Sequence, residues 1–346
     1  MLKEAQVSEA KAVVIMAAGL GTRMKSSEAK VLHPVAGRPM IHYPVRDALA
    51  LGASPVVVIV GHQREKVTAY LAEAFPEAPV QSALQAEQLG TAHAVSCAGE
   101  ALARFEGQVF ILSGDVPTMG LEMLARLDEI GGDADVALIS MRLRDPAAYG
   151  RIIRDEAGKV VAITEARDCT AAQLEINEVN AGVYRVRAPF LFETLATLGN
   201  DNAQGEFYLT DVVARAVETG RRVEALVLEG LEAEDAEGVN SRADLARAEA
   251  RMQRKISQGL MAGGVAMPLP ATNWIHDGVT VGRDTVIEPG ACLTGSTVIA
   301  DGCHVGQGAR LHDVTLEAGA KVGAGAVVMG LEIEADHEVP PLTLLD

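Results

Sequence analysis

From Val281 to Val328 the sequence returns to an aliphatic residue every six positions. These are Val281, Ile287, Leu293, Ile299, Val305 and Leu311, then, after a one-residue slip, Leu316, Val322 and Val328. Glycine follows several of them, as in Val281-Gly282, Val305-Gly306 and Val322-Gly323. A six-residue repeat has room for one short strand and one tight turn. Three repeats close one triangular coil, and each coil stacks its aliphatic side chains on the last. This register predicts a parallel β-helix over residues 264–346.

The chain before it obeys another rule. Val13-Val14-Ile15-Met16, Val56-Val57-Val58-Ile59-Val60, Val109-Phe110-Ile111-Leu112 and residues 136–141 are aliphatic runs of strand length. Helices are expected at 40–51, 65–74 and 121–130. Strands alternating with helices predict an α/β domain with a mostly parallel sheet covered on both faces. Ligands of such sheets bind beyond the carboxyl ends of the strands. Gly19, Gly61 and Asp115 fall at those ends.

The first strand stops at Ala17-Ala18-Gly19-Leu20-Gly21-Thr22-Arg23. So small a turn exposes backbone N–H groups, and with a helix N-terminus next to it, it suits an anion. Arg23 and Lys30 add full positive charge, the guanidinium as a fork and the ammonium as a point. The same residues would also serve an ordinary strand-to-helix turn. Two familiar phosphate loops are excluded. The third glycine of the dinucleotide fingerprint would be Met24, and the Gly-Lys-Ser/Thr of the eight-residue phosphate loop is missing.

Composition narrows the partners. A net charge of −17 argues against nucleic acid and against an anionic membrane surface. Cys97, Cys169, Cys292 and Cys303 form no C-x-x-C pair and read as free thiols. No run approaches 18 apolar residues, and the opening MLKEAQVSEAK has no signal-peptide apolar segment, so a cytoplasmic protein without membrane insertion is expected.

Further along, Gln85 offers an amide that can pair with a pyrimidine edge, or simply belongs to a polar loop. Asp115 in S-G-D-V-P could hold Mg²⁺ or cap the next helix. Glu165 and Asn180 have the polarity for sugar hydroxyls, though Tyr149-Gly150-Arg151-Ile152 could be a plain hairpin edge and Glu165 a solvated charge. Thr210-Asp211 could cap a helix over 212–219.

The pairing of A-A-G-x-G-T-R-M with A-K-V-L-H-P closely resembles the sugar nucleotidyltransferases. L-Q-A-E-Q-L-G-T, N-A-Q-G-E-F-Y-L-T-D and E-G-V-N-S-R are similar to segments of the bacterial N-acetylglucosamine-1-phosphate uridyltransferases. The whole chain resembles that bifunctional uridyltransferase/acetyltransferase family, with only the first coils of its second domain.

The resemblance implies a Rossmann-like nucleotidyltransferase domain over 1–242, a helical linker over 243–263 and a left-handed β-helix over 264–346. It implies transfer of UMP from UTP to N-acetylglucosamine 1-phosphate with Mg²⁺, by a homotrimer joined through the β-helix. Arg23 and Lys30 would be catalytic. Met16, Ala17, Ala18, Gly19, Gly21, Thr22, Lys30, Gln85, Gly90, Thr91, Ser113 and Gly114 would bind nucleotide. Gly150, Glu165 and Asn180 would bind the amino sugar, and Asp115 and Asn240 the metal.

Ser113 stands where the family often has Tyr, and Ala181 where it has Thr, which leaves dTTP or another sugar 1-phosphate open. A scaffold subunit without catalysis is the rival from another class. No segment matches the family's acetyltransferase ligands, so acetyl transfer is not expected, and His304, His312 and His337 read as surface residues.

Overall fold

The structure is a computed structural model and describes residues 9–346. The first eight positions, which open both the expected domain and the stretch read as lacking a signal peptide, lie outside the described residues. Contacts divide the chain into two units. One runs to His33 and resumes at Met40–Ser241, and the other comprises Pro34–Pro39 and Arg242–Asp346.

The first unit is built on a nine-stranded sheet. Its strands are β1 (Lys11–Met16), β2 (Val56–Val60), β3 (Val80–Leu84), β4 (Gln108–Ser113), β5 (Val136–Arg142), β6 (Arg151–Arg154), β7 (Val160–Thr164), β8 (Glu178–Arg187) and β9 (Val223–Leu228). The main path runs β9-β5-β8-β4-β1-β2-β3, with β6 and β7 attached at β8. Val13, Val14, Ile15 and all of β2 are buried, because helices cover both faces and give neither side of these strands to water.

Along that path the parallel rule is broken at β8. It runs antiparallel to both of its main neighbours, β4 and β5, and pairs antiparallel with β6. The start of β8 therefore lies at the same edge as the ends of β1, β2 and β4. The register of β8 against β5 shifts between Asn180 and Val183. This bulge sits beside the site.

The second unit contains the long helix Arg242–Ala262, a small hairpin and the β-helix. The hairpin pairs Pro34–Val35 with Arg38–Pro39 across Ala36 and Gly37, both at positive φ (44° and 81°). That is the backbone of a two-residue hairpin turn matched to strand twist. Ala36 is held within this unit at both ends. Its N–H donates to Glu249 at 2.7 Å, and its carbonyl accepts from the N–H of Asp277 at 2.8 Å.

The β-helix has three parallel sheets. One column stacks Ile275, Leu293, Leu311, Val328 and Leu345. The hexad residues from Ile287 to Val328 are all buried, whereas Val281 is half-buried. The aliphatic ladder extends beyond the span legible in sequence, to Ile275 before it and Ile333 and Val339 after it. A second slip, after Val328, hides the last coil from a strict six-residue count.

Candidate active site

The Ala17–Gly21 turn begins after β1 because Met16 is the last residue that can pair with both β2 and β4. The chain then enters a single 3₁₀ turn, Thr22–Met24, rather than the α-helix whose N-terminus was expected to face an anion. Positive potential here must come from amides and side chains. Gly21 has φ 61°, and a Cβ there would sit 2.7 Å from Cβ of Lys30. Glycine is needed at this position so that Lys30 can pack across the turn.

A cavity of about 330 Å³ opens at the strand ends. Met16, Ala17, Ala18 and Gly19 line it from the β1 turn, and Ser113 and Asp115 from the end of β4. Lys30, Gln85, Gly90 and Thr91 complete the sequence-predicted part of its wall. Gly21, Thr22, Arg23, Gly114, Gly150, Glu165, Asn180 and Asn240 are not among its lining residues. Gly114 instead closes the end of the sheet, its N–H donating to the carbonyl of Met16.

Charge is concentrated at one point. The Lys30 ammonium forms an ion pair with Asp115 and donates to the Asn240 amide oxygen at 3.0 Å. Arg23 donates to that same oxygen at 2.9 Å, and the Ser113 hydroxyl donates to Asp115 at 2.6 Å. The N–H of Val239 donates to the Asp115 carbonyl at 2.9 Å, which anchors the 237–240 loop at the end of β4.

The pair expected to hold metal can be tested on this arrangement. Asp115 and Asn240 are both in contact with one cationic group, so their oxygens are close enough to share a cation. One carboxylate and one amide oxygen fit Mg²⁺, which keeps waters and takes its remaining ligands from phosphates. No group of three or more His, Cys, Asp or Glu side chains suited to a metal occurs among the described residues. An all-protein cage is therefore not what this site offers.

The opposite wall is braced from a distant segment. The N–H of Phe207 donates to the Leu89 carbonyl at 2.8 Å, and the N–H of Ala92 to the Phe207 carbonyl at 2.9 Å. A Cβ at Gly90 would lie 2.5 Å from that Phe207 carbonyl, so the close approach requires glycine. The Thr91 hydroxyl accepts from the N–H of Leu209 at 3.0 Å.

The three residues expected at the sugar also meet. The N–H of Asn180 donates to the Gly150 carbonyl at 2.9 Å, and a Cβ at Gly150 would lie 3.5 Å from Oε2 of Glu165. The Asn180 amide nitrogen donates to the Tyr184 hydroxyl at 2.6 Å, while its oxygen accepts from the N–H of Gly182 in the bulge. Burial pushes the Glu165 carboxyl up from the usual range, against the pull of a hydrogen bond from the Thr210 hydroxyl at 3.2 Å; Asp168, Asp211 and Glu206 add to the rise. Thr210 therefore serves Glu165 and makes no side-chain cap on the helix Asp211–Glu218.

Sequence reasoning missed Gln88, Val31 and Ala94, which also line the cavity, as does Glu206 of the N-A-Q-G-E-F-Y-L-T-D segment. Gln88 donates to the Ala18 carbonyl at 2.7 Å and so ties the first turn to the Gln85 segment. It stands inside the L-Q-A-E-Q-L-G-T motif, where a second glutamine was the available signal. The Tyr149 hydroxyl, beside Gly150, accepts from the N–H of Gly238 at 3.3 Å.

A turn of small residues, a convergent Lys and Arg, and an Asp/Asn oxygen pair, gathered at and beside one cavity, are suited to phosphoryl-group chemistry. A family model described as nucleotidyl transferase matches residues 12–246, and the chain belongs to that family. It is similar to curated relatives described as the bifunctional protein GlmU. That of Pelobacter propionicus is 43% identical over 96% of this chain and 72% of its own length. That of Syntrophotalea carbinolica is 46% identical over 93% of this chain and 68% of its own. That of Anaeromyxobacter dehalogenans is 45% identical over 96% and 68%. The chain is thus an enzyme of sugar-phosphate nucleotidyl transfer. No helix among the described residues is long and apolar enough to cross a membrane.

Proposed function

We propose that this chain transfers UMP from UTP to N-acetylglucosamine 1-phosphate, giving UDP-N-acetylglucosamine and pyrophosphate, with Mg²⁺ required. The observation that carries the reading is the meeting of Lys30, Arg23, Asp115 and Asn240 beside a cavity that Lys30, Asp115 and Gln85 line.

The acceptor is a phosphate monoester, already ionised at neutral pH, so no protein nucleophile is needed. One of its oxygens attacks the α-phosphorus of UTP. The bond between the α-phosphorus and the α–β bridging oxygen breaks, and pyrophosphate departs carrying the bridging oxygen. Catalysis is positioning and charge neutralisation. The amides of the Ala17–Gly21 turn approach the phosphates. Lys30 leaves its internal partners and places its charge at the α-phosphate, while Arg23 offsets charge on the leaving group. Asp115 and Asn240 would hold Mg²⁺, whose charge, when bound, neutralises phosphate oxygens. Glu165, Gly150 and Asn180 receive the amino sugar, and Gln85 and Gly90 the base. Local cations act against a chain of net charge −17, which makes substrate affinity sensitive to loss of either one.

The second unit reads as an assembly element that joins three copies, and the protein as cytoplasmic. Trp274, Val298 and Met329 leave apolar surface exposed on the β-helix. Sedimentation equilibrium of the full chain tests the trimer.

The function is tested by pyrophosphate release, with and without Mg²⁺, across UTP, dTTP, CTP and GTP and a panel of sugar 1-phosphates. Turnover confined to UTP with N-acetylglucosamine 1-phosphate is expected. Turnover with another pair reassigns the pocket around Gln85, Glu165 and Asn180. No turnover from folded protein overturns the reading in favour of a scaffold.

A further inference from the structure

The side chain of Gln85 is 6% exposed and lines the cavity, and both hydrogens of its amide nitrogen are already engaged. The nitrogen donates to the Gly90 carbonyl at 3.1 Å and meets Nδ1 of His93 at 3.2 Å. An amide nitrogen can only donate, so Nδ1 of His93 is the acceptor and the imidazole proton sits on Nε2. The orientation of an amide is decided by its partners. The Gly90 carbonyl can only accept, so it sets the nitrogen inward, and Nδ1 of His93 takes the second hydrogen. That leaves Oε1 as the hydrogen-bonding atom of Gln85 for a ligand.

We infer that His93 is a specificity-determining positioning residue: it holds Gln85 so that the cavity presents an acceptor, and thereby selects a base with a ring N–H flanked by carbonyls over one with a ring lone pair. Uracil and thymine carry that N–H. Cytosine places a lone pair at the same ring position, and two lone pairs facing each other in a nearly buried site leave both unpaired. Losing such a pairing costs more than losing a contact, because the buried polar atoms stay desolvated. His93 itself touches no base and acts through Gln85. Its place is fixed by the helix Thr91–Ser96, which starts at the Gly90 turn braced by Phe207. This inference rests on the reading of the cavity as a nucleotide site and adds to it the group that sets base choice.

The test compares wild type, His93→Ala and His93→Asn. Asparagine keeps an acceptor oxygen near the position of Nδ1, and alanine removes it. For each, kcat/KM is measured for UTP and for CTP with one sugar 1-phosphate, and the Kd of each nucleotide is measured by calorimetry without the acceptor. The UTP-over-CTP ratio is expected to fall by about tenfold or more in His93→Ala and to stay near wild type in His93→Asn. Thermal melting of both variants checks that they fold.

An unchanged ratio in folded His93→Ala overturns the inference. So does an equal loss for both nucleotides, which marks a merely structural role. Wild type that binds UTP selectively without turnover defeats the proposed function alone, and the Kd ratios then decide the role of His93. Wild type that binds UTP and CTP alike overturns the inference while leaving nucleotidyl transfer intact.

Discussion

Lys30 and Asn240 are 210 positions apart in sequence and 3.0 Å apart in the fold. The same ammonium is paired with Asp115, so one cation sits between the two side chains expected to share another. In the proposed site a divalent ion would compete with Lys30 for these oxygens, and substrate phosphates would offer Lys30 another partner.

Replacement of Lys30 by Ala is expected to lower kcat by roughly 10² or more, since the charge acts where negative charge is being redistributed. Lys30→Arg is not expected to restore it, because a fork cannot occupy the position of a point charge. Steady-state pyrophosphate release at saturating substrate measures both. An unchanged rate in Lys30→Ala would remove Lys30 from the mechanism.

Chelation should abolish turnover and added Mg²⁺ should restore it. Asp115→Asn removes the only formal negative charge of the proposed ligand pair. The Mg²⁺ concentration for half-maximal activity is expected to rise about tenfold or more, since ligand charge sets affinity in such sites. A Mg²⁺ titration of the variant reads this directly, and a coincident curve would move the metal elsewhere.

Glu165 links function to stability. Its carboxyl is pushed up by burial, so the folded state binds its proton more tightly than the unfolded chain does. The stability this proton provides is full below the ordinary carboxylate value of 4.5 and is lost as pH rises through the folded value. Glu165→Gln cannot ionise. Its melting temperature should therefore exceed wild type at pH 7, and the difference should close below pH 4.5. The same variant should raise KM for the sugar 1-phosphate. Parallel melting curves at both pH values would show that the charge costs nothing in the fold.

The β-helix ladder makes a local prediction. Leu293 is fully buried between Ile275 and Leu311. Leu293→Ala removes side-chain volume from a stack that has no flexible filler, at a cost of about 2–5 kcal/mol. Denaturant unfolding of the full chain should show this loss in the transition of the second unit. A shift below about 0.5 kcal/mol would mean that the column collapses to fill the gap.

Much of this could be read without coordinates, for physical reasons that differ between residues. Strand β2 was bounded correctly because five consecutive aliphatic residues admit few alternatives. The small-residue turn after β1 was legible because such residues cannot continue a buried strand or fill the space beyond it. Three features were hidden. Direction of pairing is one: the residues of β8 read equally well in either orientation, so the placement of Asn180 beside Gly150 could not be derived. The hairpin Pro34–Pro39 lies inside the A-K-V-L-H-P-V-A-G-R-P segment, yet it packs with the second unit. The hold of His93 on Gln85 is the third, because nothing in an eight-residue separation says that a turn folds the one back on the other.

The sequence by itself determined the class of each unit, since hydrophobic period fixes which faces are buried, and it determined the chemical types present at the strand ends. Only the tertiary structure decided which of those groups share a cation, which amide hydrogens are already spent, and which glycine is required by a neighbour. Those are properties of distance and of hydrogen-bond satisfaction. They depend on segments such as 89–91 and 206–209, which come together only because the sheet sets where each begins and ends.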